Sequence, residues 1–131
     1  MPFVFHRAIV GSFERFLGII IEHYAAAFPL WIAPVQVVLL PIADRHIVYA
    51  QKVKKQLERE NIRVEIEGGA GTLQAKIRNT TLQKVPLMGI IGDKEIAGEA
   101  ISVRSRVGEN LGSQTIDGFL QKVKQDIDKK I

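Results

Sequence analysis

The chain contains no cysteine. That excludes a disulfide framework, a thiol nucleophile and any thiolate-ligated metal, and it is compatible with a reducing compartment. It also lacks a long apolar run. The most apolar stretch, 16–21, is interrupted by Gly18 and closed by Glu22, far short of the roughly 20 residues that cross a bilayer. No basic segment and small-residue cleavage site open the sequence, so no signal peptide is expected, and a soluble, cytoplasmic protein is. No internal repeat is visible. Disorder is excluded by composition, since 47% of the 131 residues are hydrophobic and 24% charged. A chain of this length is expected to bury about two thirds of its unfolded surface around a core.

Motifs that would carry chemistry by spacing alone are missing too. His6, His23 and His46 lie far apart, with no HxxxH or HExxH spacing, whereas a metal centre needs three or four converging ligands. There is no GxSxG nucleophile elbow. Residues 67–71 (EGGAG) precede Thr72, a helix cap, and a helix N-terminus can hold phosphate. The loop lacks the Lys-Ser/Thr of a P-loop and the spacing of GxGxxG, and a KH-type GxxG loop would join two helices. A surface turn is the simpler reading.

What is present is a change of character near residue 30. Residues 9–27 read as one helix, with Ile9, Phe13, Phe16, Leu17, Ile20 and Tyr24 on a stripe that a second row, Val10, Leu17 and Ile21, widens. Such a helix belongs inside something large, and the remaining hundred residues can hardly wrap it while building a core of their own. Pro29 and Pro34 mark a connector, with Trp31 as a packing anchor at a domain junction. From Val35 onward strand and helix alternate. Residues 35–41 (VQVVLLP) form a buried parallel strand, Asp44 caps a helix to about Glu60, and 62–66 (IRVEI) is a strand with one polar side. Thr72 caps a helix through Gln83, and 86–92 (PLMGIIG) is an inner strand. Asp93, Lys94 and Glu95 make a turn, 100–106 (AISVRSR) an antiparallel strand, and Thr115 caps the last helix. The order β-α-β-α-β-β-α predicts a three-layer α/β domain with a mixed sheet.

Eighteen Lys and Arg against fourteen Asp and Glu give a formal charge of +4. This permits a polyanionic partner without establishing one. The excess concentrates between Lys76 and Arg106, where Lys76, Arg78, Lys84, Lys94, Arg104 and Arg106 face only Asp93, Glu95 and Glu99. Strand alternation puts Arg104 and Arg106 on one face and Val103 on the other. If these groups converge, guanidiniums can meet phosphates or base edges and a carboxylate can accept a base N–H. Spacing alone equally describes a solvated face with a few ion pairs.

The residues 6–16 (HRAIVGSFERF) resemble the third signature motif of class II aminoacyl-tRNA synthetases, in the form typical of threonyl-tRNA synthetases. The resemblance continues through 27–42 (AFPLWIAPVQVVLLPI), 75–95 (AKIRNTTLQKVPLMGIIGDKE) and 103–106 (VRSR), essentially the whole chain. It implies that residues 1–32 are the tail of a catalytic domain and 33–131 an anticodon-binding domain, a three-layer α/β fold with a mainly five-stranded mixed sheet. The implied parent enzyme activates threonine with ATP and charges tRNA-Thr, uses zinc and Mg, and is a homodimer. This chain alone, without most of the catalytic domain, is expected to be inactive and to bind no cofactor.

By position, the resemblance makes Arg15 the motif's ATP contact and His6 one of three zinc ligands whose upstream Cys and His partners are absent. Glu95 and Arg104 fall where the family reads anticodon bases, with Arg78 a basic position beside them, so the implied partner is the tRNA-Thr anticodon loop. Where the family usually has RNEKIG, this chain has GGAGTLQ (68–74). An asparagine used near the anticodon falls at about Ala70. The alternative function is a non-catalytic regulatory or protein-interaction module on the same fold.

Overall fold

The computed structural model describes residues 1–131. Five strands, β1 (Val37–Pro41), β2 (Val64–Ile66), β3 (Leu87–Ile91), β4 (Ala100–Ser105) and β5 (Asn110–Thr115), form one sheet in the order β2-β1-β3-β4-β5. The first three run parallel, and β4 and β5 pair antiparallel beyond them. Helices α2 (Ile47–Arg59) and α5 (Ile116–Asp128) cover one face, α3 (Leu73–Leu82) the other. The expected three-layer α/β architecture is observed.

Strand β1 is the centre of this arrangement because every one of its residues is buried. Its alternate side chains serve two cores. Val37 and Leu39 join Ala50, Val53 and Leu57 of α2 and Phe119 and Val123 of α5. Val38 and Leu40 meet Val85 and Met88 beneath Leu73 and Ile77 of α3. Central parallel strands read as continuous apolar runs for this reason. Thr72 and Thr115 cap α3 and α5 as the sequence predicts, accepting from the N–H of Ala75 and Gly118 at 3.3 Å.

Several local expectations are corrected. The first helix, α1, runs only from Phe13 to His23, because Ser12 accepts the Arg15 N–H and caps it. It ends at Tyr24, beyond which Ala25 and Ala26 take positive φ. None of its residues is buried. Asp44 does not cap the second helix. It opens a 3-10 turn, Asp44–His46, with Ala43 in the capping place and α2 following directly. Asp93, Lys94 and Glu95 are the start of a five-residue helix, α4 (Asp93–Ala97), rather than a turn. The fifth strand, absent from the residue-level reading, is β5. Trp31, expected at a domain junction, lies outside both cores, 39% exposed with Lys130 Nζ 5.8 Å from its ring centre.

The connector is held by other groups. Buried Gln36 donates to Leu30 O at 2.8 Å and accepts the Arg63 N–H at 2.9 Å. Arg63 in turn donates to Ala33 O and Trp31 O. The buried Gln36 amide thus has partners where water cannot supply them.

Candidate nucleic-acid interface

The parallel strands β1 and β3 end side by side, Pro41 opposite Ile91. The chain leaves β1 toward α2 on one face and reaches β3 through α3 on the other, so a topological switch point lies between their carboxyl ends, where open α/β sheets form ligand crevices. Helix α4, which follows β3 directly, carries Glu95. Its Oε2 accepts the Gly92 N–H at 3.0 Å, which satisfies a free donor at the start of α4 and fixes the carboxylate just beyond the carboxyl end of β3. The Tyr49 hydroxyl donates to Ala100 O, and its pKa is raised, first by burial and then by the charges of Glu99 and Glu95.

Arg104 sits farther down the sheet. Ile101 and Val103 belong to the main core, so Ser102 and Arg104 point to the α3 face. Arg104 pairs with Met88 on β3 and Asn110 on β5. The β4–β5 register shifts between Val103 and Arg104, where Leu111 is an extra residue and Gly112 adopts φ +82. A bulge of this kind re-aims the adjacent side chain, and the positive φ suits glycine. Arg104 makes no ion pair, and its Nε is buried without a hydrogen-bond partner. The Gly92 whose N–H Glu95 holds lies four residues beyond Met88, about 13 Å along the strand. The two residues therefore mark opposite ends of one stretch of β3, rather than touching.

Of the six cations between Lys76 and Arg106, three are used inside the molecule. Lys76 is 8% exposed and donates to Pro41 O at 3.0 Å. Lys84 donates to Ala25 O, and Arg106 to Phe28 O at 2.7 Å. Arg106 was expected to share a nucleic-acid face with Arg104. It lies in the turn past β4 and ties the connector to the body instead. Arg78, exposed on α3, Lys94 and Arg104 form no ion pair. Arg78 lines an open groove with Gln74, Ala75, Asn79 and Leu82. The 68–71 loop is largely exposed.

His6 and Arg15 are not part of this surface. His6 lies in the exposed segment before α1, and no three His, Cys, Asp or Glu side chains are placed to hold a metal. A single imidazole without thiolate or second histidine does not fit a zinc centre. Arg15 projects from the exposed first turn of α1 with no ion-pair partner.

One cluster escaped the sequence reading. His46, buried, accepts the Ala43 N–H through Nδ1 at 3.1 Å and meets Asp93 Oδ1 through Nε2 at 3.0 Å, while Arg45 binds Asp93 Oδ2. The hydrogen bonds from His46, then from Arg45, hold the Asp93 carboxyl below its ordinary pKa. Forty-seven residues separate the partners His46 and Asp93, so no local pattern could join them.

Residues 36–126 match the family described as "Anticodon binding domain". The chain is 50% identical over 129 residues to the threonine–tRNA ligase of Acidobacterium capsulatum, across 98% of this chain and 19% of that protein. It is 48% identical over 130 residues to the Clostridium kluyveri threonine–tRNA ligase, across 99% of this chain and 20% of the relative. It thus spans about a fifth of the length of these relatives. Among solved structures, the RNA binding domain of threonyl-tRNA synthetase from Cryptosporidium parvum Iowa II superposes with a TM-score of 0.83 at 30% identity, covering 90% of this chain and 30% of that one. The switch-point sheet, its two faces of helices and these matches agree: the chain belongs to the anticodon binding domain family, in the form carried by threonyl-tRNA synthetases.

Proposed function

We propose that this chain recognises the anticodon loop of tRNA-Thr for a cytoplasmic threonyl-tRNA synthetase, with residues 33–131 as the reading unit and 1–32 as the end of the catalytic domain. The observation that carries the reading is Arg104. A permanently charged, planar donor without any carboxylate, its Nε shielded and unpaired on the α3 face of the sheet, is a poor stabiliser of the fold and a good receptor for an acceptor-rich partner. Guanine presents O6 and N7 to such a fork, and a carboxylate in the position of Glu95 accepts a base N–H with its second oxygen. Unstacked loop bases expose these edges to side chains. Arg78, exposed and unpaired, adds a phosphate contact of no sequence preference.

In this reading the parent enzyme charges tRNA-Thr with threonine, using ATP, Mg and zinc, as a homodimer. Arg15 would contact ATP and His6 would be one of three zinc ligands there. The residues present here do not make either site, so the 131-residue chain should not aminoacylate tRNA. A non-catalytic interaction module is the second reading, favoured by the exposed apolar stripe of α1.

Binding of tRNA-Thr and of a non-cognate tRNA at two salt concentrations separates the two. Anticodon reading predicts a cognate preference that Glu95→Ala and Arg104→Ala each reduce, on top of a steep salt dependence from phosphate contacts. Equal, salt-insensitive binding of both tRNAs, or none, would leave the interaction module.

A further inference from the structure

The loops that follow β1 and β3 are built alike. After β1, His46 turns back so that its Nδ1 accepts the N–H of Ala43, three residues earlier. After β3, Glu95 turns back so that its Oε2 accepts the N–H of Gly92, again three residues earlier. The two loops are then joined to each other, His46 Nε2 to Asp93 Oδ1 at 3.0 Å.

The bonding assigns the ring's proton. With Nδ1 accepting from a backbone donor, a neutral imidazole carries its hydrogen on Nε2 and donates it to Asp93. Arg45 Nε, 3.2 Å from the same Nε2, is then one donor beside another, and the working bond of Arg45 is Nη2 to Asp93 Oδ2. The pair is asymmetric. The imidazole is 2% exposed, while the Asp93 side chain is 68% exposed. A buried, immobile ring therefore grips a surface carboxylate.

That carboxylate is the first residue of α4. This helix has five residues and buries none of them fully; Ile96 packs against the main core, and the turn that carries Glu95 is held at its start by side-chain bonds. Its fixed points at this end are the Gly92 N–H, taken by Glu95, and Asp93, taken by His46 and Arg45. We propose that His46, acting through Asp93, is a positioning residue for Glu95. It locks α4 against the end of β1 and so sets where the second oxygen of Glu95 meets an incoming base. The inference rests on the reading of Glu95 as an anticodon contact.

The test is the ratio of affinities of this chain for cognate and non-cognate anticodon stem-loops, in Glu95→Ala, His46→Ala, His46→Gln and the double variant Glu95→Ala/His46→Ala. Asp93→Ala, at an exposed position, takes the place of His46→Ala should that variant fail to fold. Glu95→Ala is expected to lower the ratio about tenfold and His46→Ala about fivefold, in the range of one lost base contact. The double variant should be no worse than Glu95→Ala alone, because His46 acts only through that carboxylate. His46→Gln, whose amide still donates toward Asp93, should recover most of the loss. A folded His46→Ala or Asp93→Ala protein with an unchanged ratio, or a double variant that loses the product of the two single effects, would overturn the inference and leave Glu95 in its role. An unchanged ratio in Glu95→Ala would overturn the reading of Glu95 itself, and the inference with it.

Discussion

Residues 13–23 and residues 47–59 are both helices of good apolar periodicity, and they have opposite fates. Helix α2 places Ala50, Val53 and Leu57 against the sheet, all fully buried. Helix α1 buries nothing, and Phe13, Leu17, Ile19 and Ile21 stand 68%, 42%, 59% and 43% exposed. The lesson is about capacity. The sheet has two faces, α2 and α5 cover one and α3 the other, and α1 contributes to neither core. An 11-residue helix without a packing face is marginal in water on its own.

The largest effect that would sharpen this contrast comes from the same truncation in the two regions. Leu39→Ala, in the middle of β1, is expected to cost about 2–5 kcal/mol. Leu17→Ala, on the bare helix, should change stability by less than about 0.5 kcal/mol. Urea unfolding of both variants measures it, and a comparable loss in Leu17→Ala would show that α1 belongs to the cooperative unit.

Next in size is a pair of cap removals. Thr115→Ala should cost about 1 kcal/mol of global stability, because α5 is packed through Phe119 and Val123. Ser12→Ala removes the same kind of bond from α1. Its effect should appear as lost helicity in circular dichroism with the unfolding midpoint unchanged.

A smaller effect is expected at the joint between the regions. Arg106→Met removes the bond to Phe28 O and, with Lys84→Met, frees the 25–28 backbone. Hydrogen exchange at residues 25–33 should accelerate, while the amides of β1 and β3 keep their protection. The smallest effect is a pH dependence. The Asp93 carboxyl is held below its ordinary value of 3.8, so its contribution is present above that pH and lost as pH falls through the lower folded value. Asp93→Asn should flatten the stability curve only in that acid window, and added salt should weaken the effect in the parent chain because the group is exposed.

The features legible in the sequence were those with a local signature. β1 announced itself as an apolar run, and Thr72 and Thr115 as caps. The features missed had none. β5 (NLGSQT) is a polar edge strand without alternation, so no period marks it. Helix α4 is too short to show a helical period, and Ser12 was hidden because the apolar stripe continues past it to Ile9. At the candidate site, Glu95, Arg104 and Arg78 were named through resemblance, while charge pattern alone grouped Arg104 with Arg106. The fold separates them: one has a buried, unpaired Nε, and the other is bound to a carbonyl 78 residues away. His46 and Asp93 meet only through the pairing of β1 with β3, which no single segment encodes.

The most direct test of anticodon reading pairs a protein change with an RNA change. Affinity would be measured for the tRNA-Thr anticodon stem-loop and for one with an anticodon guanine replaced by adenine, using the parent chain and Arg104→Ala. Guanine reading by Arg104 predicts that the parent discriminates against the replacement by about 1–3 kcal/mol, and that Arg104→Ala loses that discrimination while keeping its weaker, salt-dependent binding. Undiminished discrimination in Arg104→Ala would contradict it.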